Sequence, residues 1–182
     1  GGELFVMDDG WFGDKYPRKN DSSSLGDWVV DKNKLPNGIE GLLSDAKKHG
    51  VKFGIWIEPE MANTTSELYE KHPDWVLKAS ERDVVLGRGG TQVVLDLANP
   101  AVQDFVFGVV DNLMTSYPEI DYIKWDANMS VQNHGSQYLT KDNQSHMYIE
   151  FHRGFEKICQ RIRAKYPDLT IQACASGGGR AN

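Results

Sequence analysis

What most limits the fold of this chain is the way two apolar periods alternate along it. Leu4-Phe5-Val6-Met7 is a short continuous apolar run, the pattern of a strand buried on both faces, closed by Asp8-Asp9-Gly10. Residues 12–36 have no period and are rich in Gly, Asp, Asn, Ser and Pro, which predicts a long irregular connection carrying Trp28. Ile39, Leu42, Leu43 and Ala46 then share a helical face that Gly50 terminates. Val51 to Ile57 reads as a second strand running into Glu58-Pro59-Glu60, and a weaker helix is expected over 65–72. Val93-Val94-Leu95 reads as a third strand ending at Asp96. Asn99-Pro100 pairs a preferred cap with a proline at the first helical position. Beyond it, Val102, Phe105, Val106, Val109, Val110 and Leu113 recur at helical offsets, a stripe that suits packing on a sheet. Ile120 to Trp125, a helix over about 144–165 and Thr170 to Cys174 complete the alternation.

Strands separated by helices imply right-handed parallel crossovers, in a doubly wound sheet or a (β/α) barrel. No Gly-rich phosphate turn follows the first strand, while acids end four of the five strand-like runs. Such acids suit a site assembled on the carboxyl face of a (β/α)8 TIM barrel. A complete barrel needs about 250 residues, so 182 residues with about five strands are expected to be one piece of a catalytic barrel. The last barrel strands and the flanking domains would lie outside residues 1–182.

Composition narrows the function. A net charge of −6 without a basic stripe argues against nucleic acid. No apolar run approaches the roughly 20 residues that span a bilayer, so a soluble protein is expected. Cys159 and Cys174 do not form a disulfide-framework pattern, and no histidine stands in a paired ligand motif, which disfavours zinc. Sequons occur at Asn20, Asn63, Asn128 and Asn143. A glycan at Asn128 would stand two residues from the strand-end acid Asp126, which favours an unglycosylated, bacterial setting, cytoplasmic or periplasmic.

Residues two apart on a strand share a face, so Lys124 and Asp126 point together, with Trp125 opposite. An ammonium beside Asp126 would keep it ionised, as attack on an anomeric carbon requires. The same spacing suits a structural ion pair or a helix cap. Asp8 and Asp9 beside Trp11 offer acceptors next to an aromatic face, or a cap with a solvated neighbour. Trp56 suits the core or ligand stacking. Glu58 and Glu60 could bind substrate, bind a metal or brace the loop, and Arg88 among glycines reads first as solvated surface.

Asp8-Asp9-Gly10-Trp11, Gly54-Ile55-Trp56-Ile57-Glu58-Pro59-Glu60-Met61, Val94-Leu95-Asp96, Lys124-Trp125-Asp126-Ala127-Asn128 and Cys174-Ala175-Ser176-Gly177-Gly178-Gly179-Arg180 together resemble glycoside hydrolase family 36 α-galactosidases, in order and in approximate spacing. The resemblance implies that Asp126 is the nucleophile and that Lys124, Asp8 and Asp9 hold galactose hydroxyls. It also implies that Trp56 lines the pocket and that Arg88, Asn128, Cys174 and Ser176 belong to the substrate site. Gly89-Gly90 look like two extra residues after the arginine, and Ser176 stands where many members have glycine. The family's general acid/base would lie beyond Asn182. The implied reaction is double displacement with retention, on an α-galactoside oligosaccharide or glycoconjugate, without metal or cofactor. A homo-oligomer built through flanking domains is also implied. Three other readings stay open. They are galactosyl transfer of the raffinose or stachyose synthase type, a magnesium-dependent or Schiff-base barrel enzyme using Lys124, and a non-catalytic sugar-binding module.

Overall fold

In the computed structural model, residues 1–132 and 134–176 are described. Strands β1 (Leu4–Met7), β2 (Lys52–Ile57), β5 (Tyr122–Trp125) and β6 (Thr170–Ala173) form one parallel sheet in the order β1-β2-β5-β6. Helices α1 (Gly38–Lys48), α3 (Pro100–Ser116) and α4 (Met147–Lys165) lie between these strands in the chain. This is the α/β architecture with parallel crossovers that the alternating periods predict. Trp56, Lys124 and Gln172 stand in register across β2, β5 and β6, as do Ile57, Trp125 and Ala173.

Two expectations are corrected. The run at 93–95 does not join the parallel sheet. Strand β4 (Gln92–Val94) pairs antiparallel with β3 (Met61–Asn63), outside the four-stranded sheet. Three apolar residues carry no information on pairing direction, and Pro59 cannot donate to a ladder, so the chain leaves the sheet after β2 and folds back on itself. The first strand is not buried on both faces either. Leu4 and Phe5 are 39% and 53% exposed, because β1 pairs on one side only, with β2.

The helices form where their sequences dictate. The Asn99 side chain accepts from the Ala101 amide at 2.9 Å, and Pro100 opens α3. Its stripe buries Val102, Val106, Val109, Val110 and Leu113. The short α2 (Glu67–Lys71) is capped twice, by Ser66 on the Tyr69 amide and by the Asp27 carboxylate on the Glu67 and Leu68 amides. Helix α4 crosses the chain so closely that Gly154 has no room for a side chain: a Cβ there would stand 1.9 Å from the Leu97 carbonyl oxygen. Trp125 meets Phe155 of α4 edge to face at 5.9 Å, which fixes that strand face against the helix.

The 12–36 connection is irregular, as expected, yet pinned. Phe12 and Leu25 are fully buried, and Phe12 stacks parallel to Trp56 at 6.1 Å and meets Trp28 at 4.6 Å. No helix among the described residues is long and apolar enough to cross a membrane.

Candidate active site

The carboxyl ends of β1, β2, β5 and β6 bring Asp8, Trp56, Lys124, Asp126, Asn128, Cys174 and Ser176 together. Asp126 follows β5 directly, anchored by its amide on the Ile57 carbonyl at 2.8 Å, and is 7% exposed. Its Oδ2 accepts from Asn128 Nδ2 at 2.7 Å and from Trp56 Nε1 at 3.2 Å, and its Oδ1 from the Ala127 amide at 2.9 Å. Burial pushes its pKa up, but hydrogen bonds from Asn128, Trp56, Cys174 and the Ala127 amide outweigh it and hold Asp126 below the usual aspartate value. The carboxylate is therefore anionic and oriented by donors.

Lys124 interacts electrostatically with Asp126, but its hydrogen bond goes to Asp8. Its Nζ pairs with Asp8 Oδ2 at 2.7 Å, across two strands. That hydrogen bond raises the lysine pKa, and Asp8 is lowered in turn: burial opposes, but Lys124 and the Asp9 amide prevail. A lysine stabilised as ammonium is the opposite of what Schiff-base chemistry needs. Lys124 and the 61% exposed Asp8 thus form an open ion pair beside the buried Asp126.

Asp9 has a different partner. Arg18, 4% exposed, grips it with Nε to Oδ1 at 3.0 Å and Nη2 to Oδ2 at 2.6 Å. Two parallel bonds between planar groups fix the carboxylate's orientation. Arg18 also donates to Asn63 Oδ1 at 2.9 Å. Asn63 is fully buried: its oxygen accepts from the Leu25 amide as well, and its nitrogen donates to the Asp21 and Thr91 carbonyls.

Arg88 stands in a tight turn in which Gly87 and Gln92 pair. Gly89 and Gly90 take positive φ of 71° and 82°, a conformation glycine adopts at little steric cost. Its guanidinium meets Asp21 at 2.7 Å and is 39% exposed, yet its charge also acts on Glu58. The surface reading of Arg88 is thus only half the description. Trp56 is 2% exposed and reaches the site by its N–H, its ring held among Phe12 and Trp28. Ser176 donates from its amide and hydroxyl to Asn128 Oδ1, at 3.1 and 2.8 Å. Gly177 to Asn182 lie outside the described residues.

One member of the cluster is noted in the sequence without a role that the sequence can rank. Glu58, 2% exposed, accepts from the Asn128 amide at 2.5 Å and from Gln92 Nε2 at 3.1 Å. Burial pushes its pKa up to about 7, the nearby Asp126 charge adds to this, and the Asn128, Gln92 and Arg88 interactions only partly offset it. Its signal in the sequence is its place at the end of β2, which Glu60 shares. Glu60 faces elsewhere and accepts from Trp125 Nε1 at 2.7 Å. Asp96, which also reads as a strand-end acid, is a brace: fully buried, it accepts from Ser136 Oγ at 2.5 Å and from the Ala98 amide.

The order of these motifs and the fold that carries them agree with a family profile, melibiase, that matches residues 1–182. This chain belongs to the melibiase family, glycoside hydrolase family 36. It is 42% identical over 187 residues to the probable α-galactosidase C of Aspergillus flavus, which covers 99% of this chain and 23% of that protein. It is 41% identical to the α-galactosidase AgaA of Geobacillus stearothermophilus, with 98% of this chain and 24% of that one aligned. The crystal structure of an AgaA variant in complex with raffinose superposes with a TM-score of 0.91 at 39% identity, over 99% of this chain and 24% of that one. The Lactobacillus brevis α-galactosidase gives the same TM-score at 42% identity, over 99% and 23%. This melibiase-family chain therefore spans about a quarter of the length of the relatives it matches.

Proposed function

We propose that this chain is the nucleophile-bearing part of the (β/α)8 barrel of a retaining α-galactosidase. The remaining strands and the flanking domains belong to a longer protein. The observation that carries the reading is the setting of Asp126, a buried carboxylate held anionic by neutral donors beside the open Lys124–Asp8 pair. An anion whose hydrogen bonds all lie in fixed positions is preorganised for attack, and a covalent glycosyl ester divides one difficult displacement into two easier ones.

In the first step Asp126 forms a bond to C1 of the galactosyl group while the bond from C1 to the leaving oxygen breaks. That oxygen takes a proton from a general acid supplied by chain beyond Asn182. In the second step the same group, now a base, takes a proton from water, whose oxygen attacks C1 and releases Asp126 with overall retention. Asp8, Asp9 and Lys124 bind sugar hydroxyls, with Trp56, Arg88, Asn128, Cys174 and Ser176 completing the pocket. The substrate class is an α-galactoside oligosaccharide. AgaA variants bind raffinose and stachyose in their crystal structures, which supports that class for a relative 39% identical to this chain.

The test is covalent labelling. An activated fluorinated galactosyl probe added to the full-length enzyme should mark Asp126 in the peptide map, and Asp126→Ala should lower kcat by about a thousandfold or more while galactose still binds. A label on another residue, or an Asp126→Ala enzyme that turns over normally, would refute the assignment.

A further inference from the structure

Asn128 is bracketed by two carboxyl groups. Its side-chain nitrogen donates to Asp126 Oδ2 at 2.7 Å, and its backbone amide donates to Glu58 Oε1 at 2.5 Å. The side-chain oxygen of Asn128 is taken by Ser176, so the amide plane is fixed at both ends. Glu58 therefore holds the backbone from which the Asn128 donor projects. It does so from a different strand, after β2, while Asp126 and Asn128 come after β5. At 2% exposure the Glu58 carboxyl has almost no water to compete for it.

Among the described residues, the other oxygen of Glu58 meets only the Gln92 amide nitrogen, at 3.1 Å. Neither of these two donors is a cation, and each asks Glu58 for an acceptor oxygen, while the Arg88 charge acts on the carboxyl electrostatically. Gln92 Oε1, on the far side of that amide, is buried and has no hydrogen-bond partner among the described residues. A half-turn of the Gln92 amide brings this oxygen to any donor at position 58. The cluster is thus built to accept either a carboxyl or an uncharged amide there.

We infer that Glu58 is a positioning residue for the nucleophile: its Oε1 anchors the Asn128 amide and so aims the donor that orients Asp126. This rests on the reading of Asp126 as nucleophile. What matters is the reach of an acceptor oxygen, not a negative charge. A displacement of about 1 Å at a reacting group costs on the order of a hundredfold in rate.

Glu58→Gln keeps an acceptor oxygen at the same reach and removes the charge. Glu58→Asp keeps the charge and shortens the reach by one methylene. In the full-length enzyme, with a nitrophenyl α-galactoside, Glu58→Gln should keep kcat within about fivefold of wild type. Glu58→Asp should lose about a hundredfold in kcat, with KM changed by less than about threefold, and should be labelled by the fluorinated probe correspondingly slowly. Two active variants, two inactive ones, or an active Glu58→Asp beside an inactive Glu58→Gln would each overturn the inference. Asp126→Ala measured alongside separates the two ideas. If it retains turnover, the nucleophile assignment is wrong. If it is inactive while both Glu58 variants work normally, only the role of Glu58 is lost.

Discussion

At the scale of single residues, the site contains two acids that burial and hydrogen bonding drive in opposite directions. Asp126 has a lowered pKa because the donors around it outweigh burial, and Glu58 is raised to about 7 because burial and the Asp126 charge outweigh its donors and Arg88. The two have opposite linkage signs. A carboxyl with a depressed folded pKa stabilises the protein above its unfolded value and loses that contribution as pH falls through the folded one. A carboxyl with a raised folded pKa stabilises below its unfolded value, 4.5 for Glu58, and loses that contribution as pH rises toward 7. Replacing Glu58 by Gln should therefore raise Tm relative to wild type by an amount that grows between pH 5 and about 8. Thermal unfolding of both proteins across that range checks this, and a constant difference would show that Glu58 does not titrate there. Much of the site is legible in the sequence at this scale, because two-residue spacing on a strand places Lys124 with Asp126. The partners are not. Lys124 chooses Asp8 over its strand neighbour because β1 brings an exposed carboxylate to 2.7 Å, a relation over 116 positions that no local pattern carries.

Among the secondary-structure elements, helix boundaries arise from caps and periods, and strand pairing does not. Asn99-Pro100 and the stripe from Val102 to Leu113 specify α3 fully, since every cue is local. Leu4 to Met7 and Val93 to Leu95 read alike as short apolar runs. Yet one joins the parallel sheet and the other an antiparallel pair, because the chain reverses after Pro59 and β3 is the strand it offers to β4. The closeness of α4 to Leu97 is equally invisible in the sequence, where Gly154 looks like a weak point in a helix. In the fold it is a requirement, because a methyl group would press on the Leu97 carbonyl to which Gln103 also donates. Gly154→Ala, although favourable for an isolated helix, should destabilise the protein by about 3 kcal/mol or more, as overpacking does. Chemical denaturation measures this, and a neutral effect would mean that α4 can shift.

For the molecule as a whole, β1 and β6 each pair on one side only among the described residues, and Leu4 and Phe5 stand exposed on the first of them. If the remaining strands of a barrel cover those edges and bring the general acid, the 182-residue chain alone should hydrolyse a nitrophenyl α-galactoside no faster than buffer, while the full-length protein turns it over. Measurable turnover by the isolated chain would place the acid within these residues. The buried Asn63 has a consequence for production of the protein. Asn63-Thr64-Thr65 is an acceptor for the oligosaccharide transferred to nascent chains in the eukaryotic endoplasmic reticulum, before folding has closed around it. A sugar tree attached there would have to occupy the space of Arg18, Leu25 and Thr91, so secretion from yeast should yield misfolded, retained material. Thr65→Val erases this attachment signal at an exposed position whose backbone carbonyl is all that Ser24 uses, and should raise export, with the acceptor at Asn128 left to be removed in turn.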